Sequence, residues 1–291
     1  MRRNREVPQR GGSRGKPPAA EAAGTLVLVA HGTRSAAGEA AHAALAERVR
    51  RARPGHRVEL AYLEISSPLL ADVLAGVPGP VVVVPLLLAG GYHLHIDLPA
   101  VVAGCRPDAV VAGRLGPHPL ITSVLVRRLA SAGLRSTDAV ILAAAGSSDP
   151  AALADVRSAA RQLSVRLSRP VTAAFASAGS PTVAAAMDRL RSGPAPRVAV
   201  ASYLLAPGFF QGRLESSGAD VVSRPLGAED DLATLAWHRF DEAAAAIGRG
   251  GHAQAAQESA GARGVTVSSR SSRTISTAPS SRDRPEPMNI S

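Results

Sequence analysis

Apolar residues fall along this chain in short continuous runs rather than in strict alternation. Gly24 to Ala30, Val81 to Leu88 and Ala109 to Ala112 are such runs, and Val58 to Leu63 is one broken only by Glu59, each bounded by glycine, proline or polar residues. Unbroken apolar runs of this length are the mark of strands buried on both faces. Between them lie longer alanine- and leucine-rich stretches with helical signals. One runs from about Ser35 to Arg53 and closes on Pro54-Gly55. Another is expected to open with Ser67 as N-cap and Pro68 at the first helical position, and to end near Gly76. A third follows Asp97-Leu98-Pro99, with Asp97 read as its N-cap, and a fourth spans 119 to 132. Strands alternating with helices at this spacing predict an α/β fold with a parallel sheet covered on both faces.

The pattern then repeats about 110 residues later. Ala139 to Ala145 is a strand, Pro150 to Leu167 a helix and Val171 to Phe175 a strand, and Ser180-Pro181 repeats Ser67-Pro68. Arg197 to Leu205 opens into a loop, Pro207-Gly208-Phe209-Phe210-Gln211-Gly212. Leu226-Gly227 repeats Leu115-Gly116 ahead of a last helix from about Asp230 to Ile247. A period of this length signals a duplicated domain, not a solenoid unit. The expected organisation is two similar lobes, residues 21–135 and 136–248. Residues 1–20 and 249–291 lack hydrophobic periodicity and read as disordered tails.

Charge changes this picture little. The formal net charge is +10, but residues 1–20 carry +5 of it and residues 249–291 carry +3. The body is left nearly neutral, and the aromatic content is 3%, so neither a basic groove nor base stacking is expected and nucleic acid is not a partner. Cys105 is the single cysteine, which excludes an internal disulfide and a thiolate metal cluster and fits a cytoplasmic setting. Arg2-Arg3 is followed by no apolar segment, so export is not expected, and no run reaches membrane-spanning length.

Aligning the halves isolates the candidate chemistry. His31, at the end of the first strand, pairs with Ala145; Glu64, at the end of the second, pairs with Ser177; His93, just past the third, pairs with Phe210. The scaffold is duplicated and the polar triplet is not. Three consecutive strand ends on one sheet edge can aim their side chains into one crevice. Two imidazoles and a carboxylate suit a divalent transition ion with positions left open, and the same groups can accept protons. His95 is read as a solvated loop residue, His42 and His56 as surface residues and His118 as a turn residue. Tyr92 can stack on a ligand or pack under its loop, and Arg34 is either a ligand contact or a helix-start surface residue.

His31-Gly32-Thr33-Arg34 after a strand, Tyr62-Leu63-Glu64 with Ser67-Pro68, and Gly91-Tyr92-His93-Leu94 before Asp97-Leu98-Pro99 together resemble one family. It is the class II tetrapyrrole chelatases, the sirohydrochlorin chelatases of the CbiX/SirB type, in their long, internally duplicated form. The resemblance covers about residues 24 to 247, with Leu98 standing where isoleucine is usual. It implies a chelatase-like fold and insertion of Fe2+ or Co2+ into sirohydrochlorin, for sirohaem or cobalamin, in a cleft between the lobes. The metal is then a substrate and no organic cofactor is needed. His31 and His93 would bind the metal or take pyrrole protons, with Glu64 assisting as base or metal-side ligand. Arg34 would meet the macrocycle's carboxylates, Tyr92 would touch the ring, and Phe209-Phe210 would supply an apolar wall. A monomer holding an internal pseudo-dimer would suffice. A histidine phosphatase is disfavoured because Ala30 stands where its arginine would be; a non-catalytic metal or tetrapyrrole carrier is the alternative.

Overall fold

The computed structural model describes residues 24–91, 96–193 and 197–262. The first lobe comprises β1 (Thr25–Ala30), α1 (Ala36–Ala52), β2 (Val58–Tyr62), α2 (Leu70–Gly76), β3 (Val81–Pro85), α3 (Leu98–Cys105), β4 (Val110–Val111) and α4 (Pro119–Ser131). The second comprises β5 (Ala139–Ala144), α5 (Pro150–Leu167), β6 (Val171–Phe175), α6 (Val183–Arg191), β7 (Val198–Ser202), α7 (Phe209–Glu215), β8 (Val221–Val222) and α8 (Asp230–Ala262). Each lobe holds a four-stranded sheet, in the orders β2-β1-β3-β4 and β6-β5-β7-β8. All six strand pairings are parallel. The expected α/β architecture of two similar sheets flanked by helices is the observed one.

The central strands β1, β3, β5 and β7 read as near-continuous apolar runs because both of their faces are buried, against different partners. Leu26, Leu28, Val82 and Val84 join Leu142, Ala144, Ala199 and Ala201 in one core that runs through both lobes. Residues of α1, α4, α5 and α8 fill the space between the sheets. The alternate positions Val27, Val29, Val81 and Val83 pack on Leu70, Leu74, Leu98 and Val102 of α2 and α3 in a core private to the first lobe. Ile141, Ala143, Val198 and Val200 do the same against α6 and α7. Full burial of each such side chain contributes about 1.5–3 kcal/mol.

Polar contacts fix the lobes in register. The Trp237 indole N–H donates to the Val49 carbonyl at 3.0 Å. Arg53 clasps Asp241 through both guanidinium nitrogens at 2.7 and 2.6 Å while lying 4.5 Å over the Trp237 ring. The Tyr203 hydroxyl donates to the Leu88 carbonyl at 3.0 Å.

Several boundaries differ from expectation. Ser67-Pro68 does not start α2: the Pro68 carbonyl accepts from Tyr62 N–H at 3.0 Å, which keeps this segment alongside β2, and the helix begins at Leu70 after Leu69. Ser180-Pro181 behaves alike, with the Pro181 carbonyl bound by Phe175 N–H and Thr182 capping α6 through Ala185 N–H. Phe209 and Phe210 open the short helix α7, not a loop, and β8 is a two-residue strand that hydrophobic pattern could not reveal. Asp97 holds the cap position of α3 with a helical backbone and no side-chain cap bond. His118 is the N-cap of α4, its Nδ1 accepting from Leu120 N–H at 3.2 Å. α8 continues to Ala262, beyond the expected end near Ile247 and into the stretch read as disordered; Ala253, Ala255, Ala256 and Ala260 in that stretch are strong helix formers. The compact body ends at Gly248.

Candidate active site

β1 and β2 lie side by side, with Ala30 opposite Tyr62 in parallel register. The chain therefore leaves the sheet edge at two neighbouring points. Beyond them the ladder continues for two more bonds, Leu63 N–H to the Ala30 carbonyl at 2.9 Å and Glu64 N–H to the His31 carbonyl at 3.1 Å. This brings His31 and Glu64 together: His31 Nε2 lies 3.1 Å from Glu64 Oε1, with His31 part-exposed and Glu64 exposed.

The turn around this pair is tightly built. Gly32 has φ +113°, and a Cβ there would stand 1.8 Å from the Glu64 carbonyl oxygen, so no other residue fits. Buried Ser66 ties the two loops by accepting from Thr33 N–H and donating to the Thr33 carbonyl, both at 3.0 Å. Between Glu64 and Ser66 sits Ile65 at φ +68°, a left-handed conformation that a β-branched residue takes only at a cost of about 1–3 kcal/mol. The second lobe keeps the glycine, as Gly146 at φ +103° with its virtual Cβ 2.2 Å from the Ala178 carbonyl. It lacks the rest. Ser177 N–H bonds the Ala145 carbonyl at 2.8 Å, the exact counterpart of Glu64 to His31, and the Ser177 hydroxyl turns onto that same carbonyl at 2.6 Å.

His31 stands where two cavities adjoin. One, of about 650 Å³, is lined by His31, Arg34, His42 and Ile65 from the first lobe and by Pro207 and Phe209 from the second. The other, of about 450 Å³, runs from His31 past Leu88 and Gly90 to Ser147 and Leu153. Leu86, Leu87, Leu204, Leu205 and Phe210 face both cavities. The site is thus an apolar cleft between lobes with His31 on its wall and Glu64 beside that imidazole. Phe209, 73% exposed, forms part of the expected apolar wall.

The second lobe also holds the strand end that leads to His93. Asp155 on α5 accepts from Gly90 N–H at 2.8 Å and from Arg114 Nη2 at 2.7 Å. Tyr92, His93 and His95 themselves lie outside the described residues. Arg34 is exposed and lines the larger cavity. His56 is half-buried, edge-on to Trp237 at 5.1 Å, where a surface residue was expected. His42, also expected on the surface, is 8% exposed because its face of α1 turns towards Tyr62 and the cleft. Ser66 and Asp155 were not singled out by sequence; the only available signal for Ser66 was its place beside Ser67-Pro68.

The separation within the pair decides what it can bind. Imidazole nitrogen and carboxylate oxygen sit near 2.1 Å from a divalent transition ion, so atoms 3.1 Å apart subtend about 95° at a shared ion. That is the angle of two neighbouring ligands in an octahedron. Without metal, the same distance is that of an ion pair whenever the imidazole is protonated, and either group can take or give a proton. Among the described residues no group of three or more His, Cys, Asp or Glu side chains is placed to hold a metal ion, so the pair alone leaves most of a coordination sphere open.

The family model described as CbiX matches this chain twice, over residues 25–132 and 139–243, once per lobe. No curated protein sequence matches. Among solved structures, SirB from Bacillus subtilis with Fe3+ is similar at 22% identity and TM-score 0.67, covering 76% of this chain and 95% of SirB. The sirohydrochlorin chelatase SirB of Bacillus subtilis subspecies spizizenii in complex with cobalt matches at 21% identity and TM-score 0.62, over 76% and 94% of the two chains. DR2241 from Deinococcus radiodurans, a multi-domain protein with structural similarity to chelatases, matches at 21% and 0.57, over 75% of this chain and 54% of its own. At these identities the structures speak for the fold, whereas the family model accounts for both lobes, and the chain belongs to the CbiX family, with the family's unit present twice.

Proposed function

We propose that this protein is a sirohydrochlorin chelatase that inserts Fe2+ or Co2+ into the free-base ring within the interlobe cleft. The observation that carries this reading is the His31–Glu64 pair at 3.1 Å, set at the sheet edge of an apolar cleft and absent from the second lobe. The two SirB structures, one with Fe3+ and one in complex with cobalt, support a metal substrate. Both metals accept imidazole and carboxylate ligands, so the side chains leave the choice to metal supply.

The chemistry has two requirements. A divalent ion must be held, partly dehydrated, within reach of the ring nitrogens, and two N–H protons must leave the ring as the ion enters. In this reading His31 Nε2 and Glu64 Oε1 take adjacent positions on the incoming ion, and His93, two residues after Gly91, supplies a further ligand. As the ion passes to the ring, the freed His31 imidazole and Glu64 carboxylate each take up one of the two released protons. Leu86, Leu87, Leu204 and Phe210 exclude water and seat the macrocycle's flat face, while Arg34 meets a carboxylate at the rim and Tyr92 touches the ring.

The test is an anaerobic assay of the purified protein with sirohydrochlorin and either metal, following the ring's absorbance. Insertion well above the uncatalysed rate, lost in both His31→Ala and His93→Ala, is the expected outcome. Binding of metal or ring without accelerated insertion would overturn the reading in favour of a carrier.

A further inference from the structure

His42 occupies the same cavity as His31 and Arg34 but takes no part in the chemistry above. It is 8% exposed, and its Nδ1 is sealed with no hydrogen-bond partner among the described residues, whereas Nε2 is not sealed in this way. Its ring lies 5.9 Å from that of Tyr62, tilted by 51°. Burial lowers its pKa, an effect that nearby Glu39 opposes more weakly, which favours the neutral imidazole. A neutral imidazole carries one N–H. Enclosed donors without an acceptor are rarer than enclosed lone pairs, which places the proton on Nε2, at the edge that is not enclosed.

Packing alone does not ask for an imidazole here. Counted from the equivalent helix caps Ser35 and Asp149, the second-lobe counterpart of His42 is Val156. Val156 is buried and lines the adjoining cavity. The same core position is thus filled by an aliphatic side chain in one lobe and by a polar ring with an unpaired nitrogen in the other. His42 shares this asymmetry with His31 and Glu64.

We infer that His42 is a substrate-recognition residue, whose Nε2–H donates a hydrogen bond to one carboxylate arm of the tetrapyrrole on the cleft floor. This rests on the chelatase reading, because sirohydrochlorin is a polycarboxylate. Arg34, exposed at the rim, suits an arm that stays in solvent; an arm reaching inward meets a neutral donor in a drier place. A hydrogen bond to an ionised acceptor is about twice as strong as a neutral one and needs no proton transfer. His42 therefore acts on ring affinity and leaves the insertion step to the pair.

The experiment compares wild type with His42→Phe, His42→Val and His42→Gln. Val is the side chain that the second lobe uses, Phe keeps a flat aromatic ring without an N–H, and Gln keeps an N–H donor. Metal-free sirohydrochlorin is titrated by absorbance, and KM for ring, KM for metal and kcat are measured with thermal unfolding alongside. His42→Phe and His42→Val are expected to weaken ring binding about ten- to hundredfold, with kcat within a few-fold, KM for metal unchanged and no loss of thermal stability in His42→Phe. His42→Gln is expected to recover most of the affinity. Wild-type ring affinity in a folded His42→Phe or His42→Val variant overturns the assignment while chelatase activity stands. If wild type binds the ring but inserts no metal, the chelatase reading falls, and a drop in ring affinity in these variants still supports His42. A wild-type protein that binds no ring overturns both.

Discussion

The two lobes are the same fold with different contents, and the contrast separates scaffold from chemistry. Both keep four parallel strands in the same order, a positive-φ glycine after the first strand and the same pair of backbone bonds beyond the sheet edge. Only the first has His31, Glu64, His42 and the Ser66 tie, against Ala145, Ser177, Val156 and Gly179. What both lobes share is needed to make the turn; what one lobe alone carries is free to serve a ligand. The second lobe still contributes, through Phe209 and Phe210 on the cleft wall and through Asp155 and Tyr203 on the Leu88–Gly90 segment.

The largest effect should come from the unshared groups. His31→Ala is expected to lower the insertion rate by roughly 10²–10⁴-fold, the range for losing a positioned acid–base group, with unchanged urea unfolding. The shared glycines should behave in the opposite way. Gly32→Ala and Gly146→Ala each force a Cβ into a carbonyl at positive φ, and denaturant midpoints should report a loss of about 3 kcal/mol or more in both. Equal damage from the two would mark them as scaffold; damage confined to Gly32 would mean that the lobes are not equivalent there.

Asp155→Asn comes next. It removes the charge that pairs with Arg114 and weakens the hold on Gly90, for an expected loss of about 1–3 kcal/mol in equilibrium unfolding, with a slower insertion rate. Smallest is an acid effect. His42 has its folded pKa lowered by burial, and His118 by burial and then by the charges of Arg239 and His238. Below about pH 6.5 the unfolded chain binds protons that the folded one refuses, so stability should fall as pH drops through that window. Urea titrations at pH 7 and pH 5.5 should show this loss, reduced in His42→Phe.

The fold was legible because its strands are buried on both faces and its helices are capped or closed by proline and glycine. The internal repeat sets His31 opposite Ala145 and Glu64 opposite Ser177, and the backbone bonds place them identically. The illegible parts have local causes. β8 shows only Val221-Val222 between Asp220 and Ser223, whereas Val110-Val111 of β4 sits inside a longer apolar run, and Ser67-Pro68 satisfies a helix-start pattern while its carbonyl serves a strand. His42 looked solvated because α1 is alanine-rich on every side, so its buried face cannot be told from composition. Asp155 lies on the other lobe from the loop it holds, and no spacing in one lobe reveals a contact made across the cleft.

The most direct test of the division of labour is the anaerobic insertion rate of Glu64→Gln beside that of Ser177→Ala, its counterpart in the second lobe. Loss of at least about a hundredfold in the first, with a rate within twofold of wild type in the second, is what the account predicts. A wild-type rate in Glu64→Gln, or comparable losses in both variants, would contradict it.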